Sequence, residues 1–330
     1  MSLTIQKNAD PTPHFQASRS LVALCKAAAD PLRLDILRVL SQDSFGVQEL
    51  ARIFSVPQPG MSHHLKILSR SGLLETRRQG NSIFYLRTLL RDEGYLTSFQ
   101  ASLYATVDAV PLADEFGRKM AAIYKDRSQQ SRLYFERNVD KFEENQGMLC
   151  ELSQYFPNLR ELLDLMSLPK KSRVVEVGPG QGLLLEELAR RFEKLVALDS
   201  SGEMLEFTKG KVREKNRKIE FVNSSLETYS PGHQKFDAAV LNMVMHHLSS
   251  PARAFQKLNQ IVGESGYVLI ADLCSHDQEW TRESCGDVWL GFDPKDLNEC
   301  AANAGFKEKQ SLYLGLKNGF QIQLKLFCRP

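Results

Sequence analysis

VVEVGPGQG, residues 174–182, decides how the second half of this 330-residue chain folds. A β-branched run carrying one acid, Glu176, leads into three glycines at 178, 180 and 182. A strand that ends in a glycine-rich turn and continues into a helix brings backbone close to a ligand, as nucleotide-holding α/β folds do. Strand-like and helical runs alternate around it. RVVEV is followed by LLLEELARRF, KLVALD by EMLEFTKGKVREK, then come KIEFVN, FDAAVLN, PARAFQKLNQIVG and YVLIADL. This alternation predicts a parallel, doubly wound sheet over residues 169–330. The end differs: SLYLGLKNGFQIQLKLFC reads as two strands around Asn318-Gly319, a strong hairpin signal that makes the last strands antiparallel.

The spacing of the glycines says which ligand. G-x-G-x-x-G needs its third glycine at 183, where Leu183 stands. A dehydrogenase turn holds an anionic pyrophosphate on helix N-terminal amides. A carboxylate at the strand end opposes that anion and suits a cation. Asp199, after the second strand, is placed to accept both hydroxyls of a ribose.

The first third of the chain reads differently. Residues 1–90 carry 11 Lys and Arg against 6 Asp and Glu, the remainder 31 against 34. A basic head on a slightly acidic body is compatible with DNA binding. Residues 1–17 read as a flexible lead-in. Over 18–90, Leu21, Leu24, Ala28, Leu32, Ile36, Leu37 and Leu40 fall mostly at helical spacing, with Asp30-Pro31 separating two helices. FGVQELARIF and a helix from about Pro59 to Arg70 flank the tight turn SVPQ, a helix-turn-helix pattern. Two β-rich arms around Arg78-Gln79-Gly80-Asn81 then form a basic wing. In the groove-reading geometry of such a helix, Gln58, Ser62, His63 and His64 reach bases or phosphates, or serve the fold, and Lys66 and Arg70 suit phosphates. Arg77 and Arg78 sit on the wing.

Both halves resemble known families. VQELARIFSVPQPGMSHHLKILSRSGLLETRRQGNSIFYLR is similar to the ArsR/SmtB winged-helix repressors, with Ser62, His64, Leu65, Leu68, Gly72, Leu73 and Tyr85 in the family's order. That family's Cys-rich sensing run and its C-terminal-helix histidine site have no counterpart here, so no metal site is expected in the head. The resemblance implies a homodimer on a palindromic double-stranded DNA operator. In the second half, E-x-G-x-G-x-G with its downstream acid resembles motif I of the class I S-adenosylmethionine (SAM) methyltransferases. FDAAVLNMVMHHL resembles the fourth motif of their UbiE-type subgroup. This implies a Rossmann-like fold, a seven-stranded sheet with an antiparallel final hairpin, that holds SAM or S-adenosylhomocysteine. The implied cofactor residues are Glu176, Gly178, Gly180, Gly182, Asp199, Ser200, Met204, Ser225, Leu226 and Asn242. Ser225 stands where the family often has an acid.

Residues 91–168 are helix-compatible, too apolar for a free linker, and read as a dimerisation and connector segment, whose second part, 126–166, reads either as helices covering the second domain's entrance or as a structural spacer. Candidate acceptor-pocket residues near the strand ends are His246, His247, Asp272, His276, Trp280, Arg282 and Trp289; none is assigned a catalytic role. Cys274, His276 and Cys285 match no metal spacing, and no metal is expected there either. Six scattered cysteines without CxxC fit reduced thiols, and no run is long enough for a membrane span, so a cytoplasmic protein is expected. Two functions follow: a transcription factor that senses SAM or S-adenosylhomocysteine, or an active small-molecule methyltransferase whose head regulates its own gene.

Overall fold

The computed structural model describes residues 13–330 except 42, 91–92, 213–218 and 233. The chain divides into two units, Met1–Arg78 with Ser82–Ala121, and Gln79–Asn81 with Ala122–Pro330. The expected lead-in 1–17 is described only from residue 13, where helix α1 (Pro13–Ala28) already begins.

In the first unit α1 is followed by α2 (Pro31–Val39), strand β1 (Phe45–Gly46), α3 (Val47–Phe54), α4 (Gln58–Arg70), strands β2 (Leu74–Gln79) and β3 (Ser82–Arg87), and α5 (Tyr95–Asp108). The Asp30 carboxylate caps α2 by accepting the Arg33 amide at 3.0 Å, which is why the Asp30-Pro31 pair separates two helices. Ser55, at φ 53°, turns the chain between α3 and α4. Met61, Leu65 and Leu68 are fully buried at spacings of four and three, and fix which face of α4 looks outward. The three strands pair in the order β1-β3-β2. Helix α5 belongs to this core: the Tyr104 hydroxyl donates to the Leu73 carbonyl at 2.7 Å, and Arg38 Nε to the Val107 carbonyl at 3.0 Å. Helix α6 (Asp114–Asn138) starts here and, in sequence, continues into the second unit.

The second unit adds α7 (Phe142–Leu149), α8 (Leu152–Leu165), β4 (Arg173–Val177), α9 (Leu183–Arg191), β5 (Lys194–Asp199), α10 (Gly202–Lys211), β6 (Ile219–Asn223) and β7 (Phe236–Asn242). It closes with α11 (Pro251–Ile261), β8 (Val262–Leu273), α12 (Trp280–Ser284), α13 (Pro294–Asn303), β9 (Lys307–Gly315) and β10 (Gln321–Cys328). The seven strands order β6-β5-β4-β7-β8-β10-β9. β4 to β8 pair in parallel, and β10 runs antiparallel to both β8 and β9. The chain winds outward from β4 to β6 and returns to β7, so strand order reverses between β4 and β7, where doubly wound folds bind ligands. Expected as part of the connector, α8 instead buries Tyr155, Leu159, Leu162 and Leu163 in the sheet core. Helical periodicity announces an apolar face but not the surface that covers it. β8 begins at Val262, five residues before the expected YVLIADL, because Val262 already pairs with Phe236.

Candidate functional site

On α4, Gln58, His63, Lys66 and Arg70 are exposed and Ser62 half-buried. His64 turns inward, its Nδ1 3.8 Å from the Asp30 carboxylate, which places it in the packing of the first unit. Arg77 is half-buried and Arg78 exposed on β2. Thus α4 presents a polar and cationic face while its opposite face forms the core.

The glycine turn lies at the strand reversal. Gly178 and Gly180 have φ of 63° and 52°, in the left-handed region that glycine tolerates. A Cβ on Gly178 would meet Val244 Cγ2 at 2.6 Å, and one on Gly180 would sit 3.1 Å from the Phe142 ring. Thr208 ties the turn to α10 by donating to the Gly180 carbonyl at 2.7 Å. A cavity of about 530 Å³ opens here, lined by Gly178, Gly180, Asp199, Ser200, Met204, Ser225 and Leu226. A second, of about 350 Å³, includes Asn242, whose Oδ1 accepts the Tyr155 hydroxyl at 2.9 Å. Phe142, Gly178, Gly180 and Met243 line both. Asp199 accepts the Ser201 amide at 2.8 Å, yet burial pushes its carboxyl up to about 6.

Two expected cofactor residues lie elsewhere. Gly182, at φ 74°, caps α9 and faces Val212 and Thr208 rather than either cavity. Glu176 is 1% exposed and lines neither cavity; its Oε2 has no hydrogen-bond partner, and burial raises its carboxyl well above the usual range. In a parallel sheet covered on both faces every strand position is interior, so an acid just before the turn stays inside.

Of the candidate acceptor residues, only His247 lines a described cavity. Trp289 is core, 1% exposed, under the Arg127 guanidinium at 4.8 Å, and its Nε1 donates to the Leu248 carbonyl. Trp280 is half-exposed and donates to Gln278 Oε1. Arg282 donates to the Val288 carbonyl at 2.6 Å, a loop-fixing bond. His276 stands edge-on to Phe320 at 4.8 Å, and burial lowers its ring to about 4.

His246, Asp272 and Asp287 come together instead. His246 Nδ1 lies 2.6 Å from Asp272 Oδ1, and its Nε2 lies 3.6 Å from Asp287 Oδ1, all of them buried. Burial opposes charging His246, but the two carboxylates outweigh it and lift the ring to about 9. Burial and the charge on His246 hold His247 well below its usual value. The stretch 126–166, for which covering helices are one of the two readings, supplies a wall through α6 and α7: Ser128, Arg132, Phe135 and Phe142, with Lys125 just before it, line the larger cavity. The spacing 125, 128, 132, 135 was a readable signal, one polar-aromatic helix face.

Residues 28–77 match a family model described as a helix-turn-helix domain, and 152–310 one described as a methyltransferase domain. The chain therefore joins a helix-turn-helix domain to a methyltransferase domain with a Rossmann-like fold. The ubiquinone biosynthesis O-methyltransferase of Yersinia pestis (strain Pestoides F) is 26% identical over 121 residues, 36% of this chain and 50% of that protein. The chain thus spans about half the length of the curated relatives it matches. Among solved structures, the [4+2]-cyclase SpnF superposes with a TM-score of 0.52 at 13% identity, over 62% of this chain and 96% of that one. A chain from a complex containing the Haloferax volcanii Trm112 methyltransferase activator gives 0.50 at 14% identity, over 59% and 97%. These likenesses concern the fold. No helix among the described residues is long and apolar enough to cross a membrane.

Proposed function

We propose that this protein is a DNA-binding transcriptional regulator, acting as a repressor, whose second unit binds SAM or S-adenosylhomocysteine as an effector. The observation that carries the reading is the larger cavity, where Gly178, Gly180, Asp199 and Ser225 meet at the strand reversal, with Asp199 positioned for ribose hydroxyls. One wall of that cavity is α6, a helix that in sequence begins within the first unit. A ligand that prefers one position of α6 has a covalent route to the head, and linkage requires only such a preference. The head acts as a homodimer on a palindromic operator, a reading supported by exposed Leu21, Val22 and Tyr95 on α1 and α5. Gln58, Ser62, His63, Lys66, Arg70, Arg77 and Arg78 contact DNA. The site of action is the cytoplasm, where the DNA and the reduced thiols belong.

A second reading has its own support. The O-methyltransferase relatives and a cavity larger than the glycine turn alone requires favour transfer of the methyl group to a small-molecule oxygen. Operator DNA and protein titrated with SAM and with S-adenosylhomocysteine at fixed salt test the effector reading. The expected shift in DNA affinity is about 5–150-fold for one of the two. Unchanged DNA affinity with both ligands, alongside methyl transfer in a metabolite extract, replaces the first reading with the second.

A further inference from the structure

We propose that His246, His247 and Asp287 hold one divalent transition cation of the zinc class, with Asp272 orienting His246. The four residues come from three separate segments: the turn after β7, the end of β8 and the loop after α12. His246 and Asp272 are 0% exposed and Asp287 2%. His246 donates its Nδ1 proton to Asp272 Oδ1 at 2.6 Å, an oxygen that also accepts the Leu273 amide at 2.7 Å. That bond fixes Nδ1 as the donor, so a cation binds at Nε2 by displacing the second ring proton. His246 Nε2 and both Asp287 carboxylate oxygens are buried without a hydrogen-bond partner.

The distances favour a metal over a shared proton. Nε2 lies 3.6 Å from Asp287 Oδ1, too far for one proton to bridge, and such a proton would leave the second oxygen unmatched. His247 Nδ1 is 3.9 Å from the same oxygen. One ligand atom from each of the three residues falls within 4.8 Å of the others. Metal–ligand bonds of about 2.0–2.2 Å at tetrahedral angles separate neighbouring ligand atoms by roughly 3.4 Å, so a small contraction closes the set. His247 Nδ1 now faces the Gly286 carbonyl at 3.2 Å; ligation exchanges that bond for the metal and moves its proton to Nε2. A carboxylate bonded to the far nitrogen of a ligating histidine is the usual support of such a site. Two imidazoles and one carboxylate suit zinc-class ions and leave a fourth position for water or a ligand oxygen. His247 lines the larger cavity, so that position belongs beside the bound small molecule.

The experiment needs no activity and does not depend on the SAM reading. Tag-free full-length protein is stripped with chelator, equilibrated with Zn²⁺, desalted and analysed for metal; Co²⁺ is titrated in parallel and followed by absorbance. The expected result is one equivalent of zinc, a tetrahedral cobalt spectrum, and loss of both in Asp287→Asn and His246→Gln. Asp272→Asn weakens uptake by about 10–100-fold, and His63→Ala, on the exposed head helix, leaves it unchanged. Substoichiometric uptake by the unaltered chain, full uptake by folded Asp287→Asn, or loss in His63→Ala overturns the proposal. If the cluster variants fail to fold, the cobalt spectrum of the unaltered chain decides: a six-coordinate aquo-like spectrum overturns it.

Discussion

On the proposed reading, Asp199 is the residue on which ligand recognition turns. Burial raises its carboxyl from 3.8 to about 6, so the folded chain binds that proton more readily than the unfolded chain does. Its contribution to stability is therefore full below about pH 3.8 and is lost as pH rises through about 6. Binding runs the other way, because only the ionised form accepts two hydroxyls at once. Calorimetry should show affinity for S-adenosylhomocysteine constant above pH 7 and falling by up to about tenfold per pH unit once pH drops through 6. Asp199→Ala should weaken that binding by about 10–100-fold while ligand-free DNA binding stays intact. Equal loss of both would contradict separate sites. Gly178→Ala sets a Cβ against Val244 at a positive φ. It should lower stability by about 1–3 kcal/mol in thermal melts and abolish ligand binding together with the turn's shape.

At the scale of elements, the helices and strands that locality dictates were legible. The Asp30 cap, the α4 periodicity, the Asn318-Gly319 hairpin and the strand-turn-helix at 174–191 each depend on residues close in sequence. What was not legible depends on partners far apart in sequence. α8 shows an apolar face in any reading, but only the fold says that β4, β8 and β10 cover it. Glu176 read as a ligand-facing acid because a strand end is usually a rim, whereas here both faces are closed. The cluster of His246, Asp272 and Asp287 has no spacing to find, since three segments converge on it. Element-scale tests follow for the head. Lys66→Ala should weaken DNA binding across sequences and reduce the slope of log affinity against log salt by about 1. Leu65→Ala, which empties a fully buried position of α4, should cost about 2–5 kcal/mol in denaturant unfolding and remove DNA binding indirectly.

For the whole molecule, the two domain types set a reciprocal expectation. If SAM or S-adenosylhomocysteine changes operator affinity by a given factor, operator DNA must change affinity for that ligand by the same factor. Measuring both directions at one salt concentration checks the linkage, and a mismatch rejects a simple two-state coupling. The sequence disclosed the two domain types because each carries a compact local motif. For the stretch 126–166 it offered covering helices or a spacer, but not which side chains line the cavity, because Lys125, Arg132, Phe135 and Phe142 acquire that role only from their neighbours in space.

Phe142 belongs to both cavities, its ring set edgewise between Phe135 at 6.1 Å and Phe207 at 6.2 Å. A molecule long enough to occupy both volumes lies against that ring, beside Gly178, Gly180 and Met243. If entry and exit require the ring to move, residence time depends on one aromatic torsion as well as on contact energy. Phe142→Ala should accelerate capture and escape together in stopped-flow traces, with the equilibrium constant moving far less than either rate. The position of one ring thus ties the speed of ligand exchange to a side-chain motion as well as to the strength of binding.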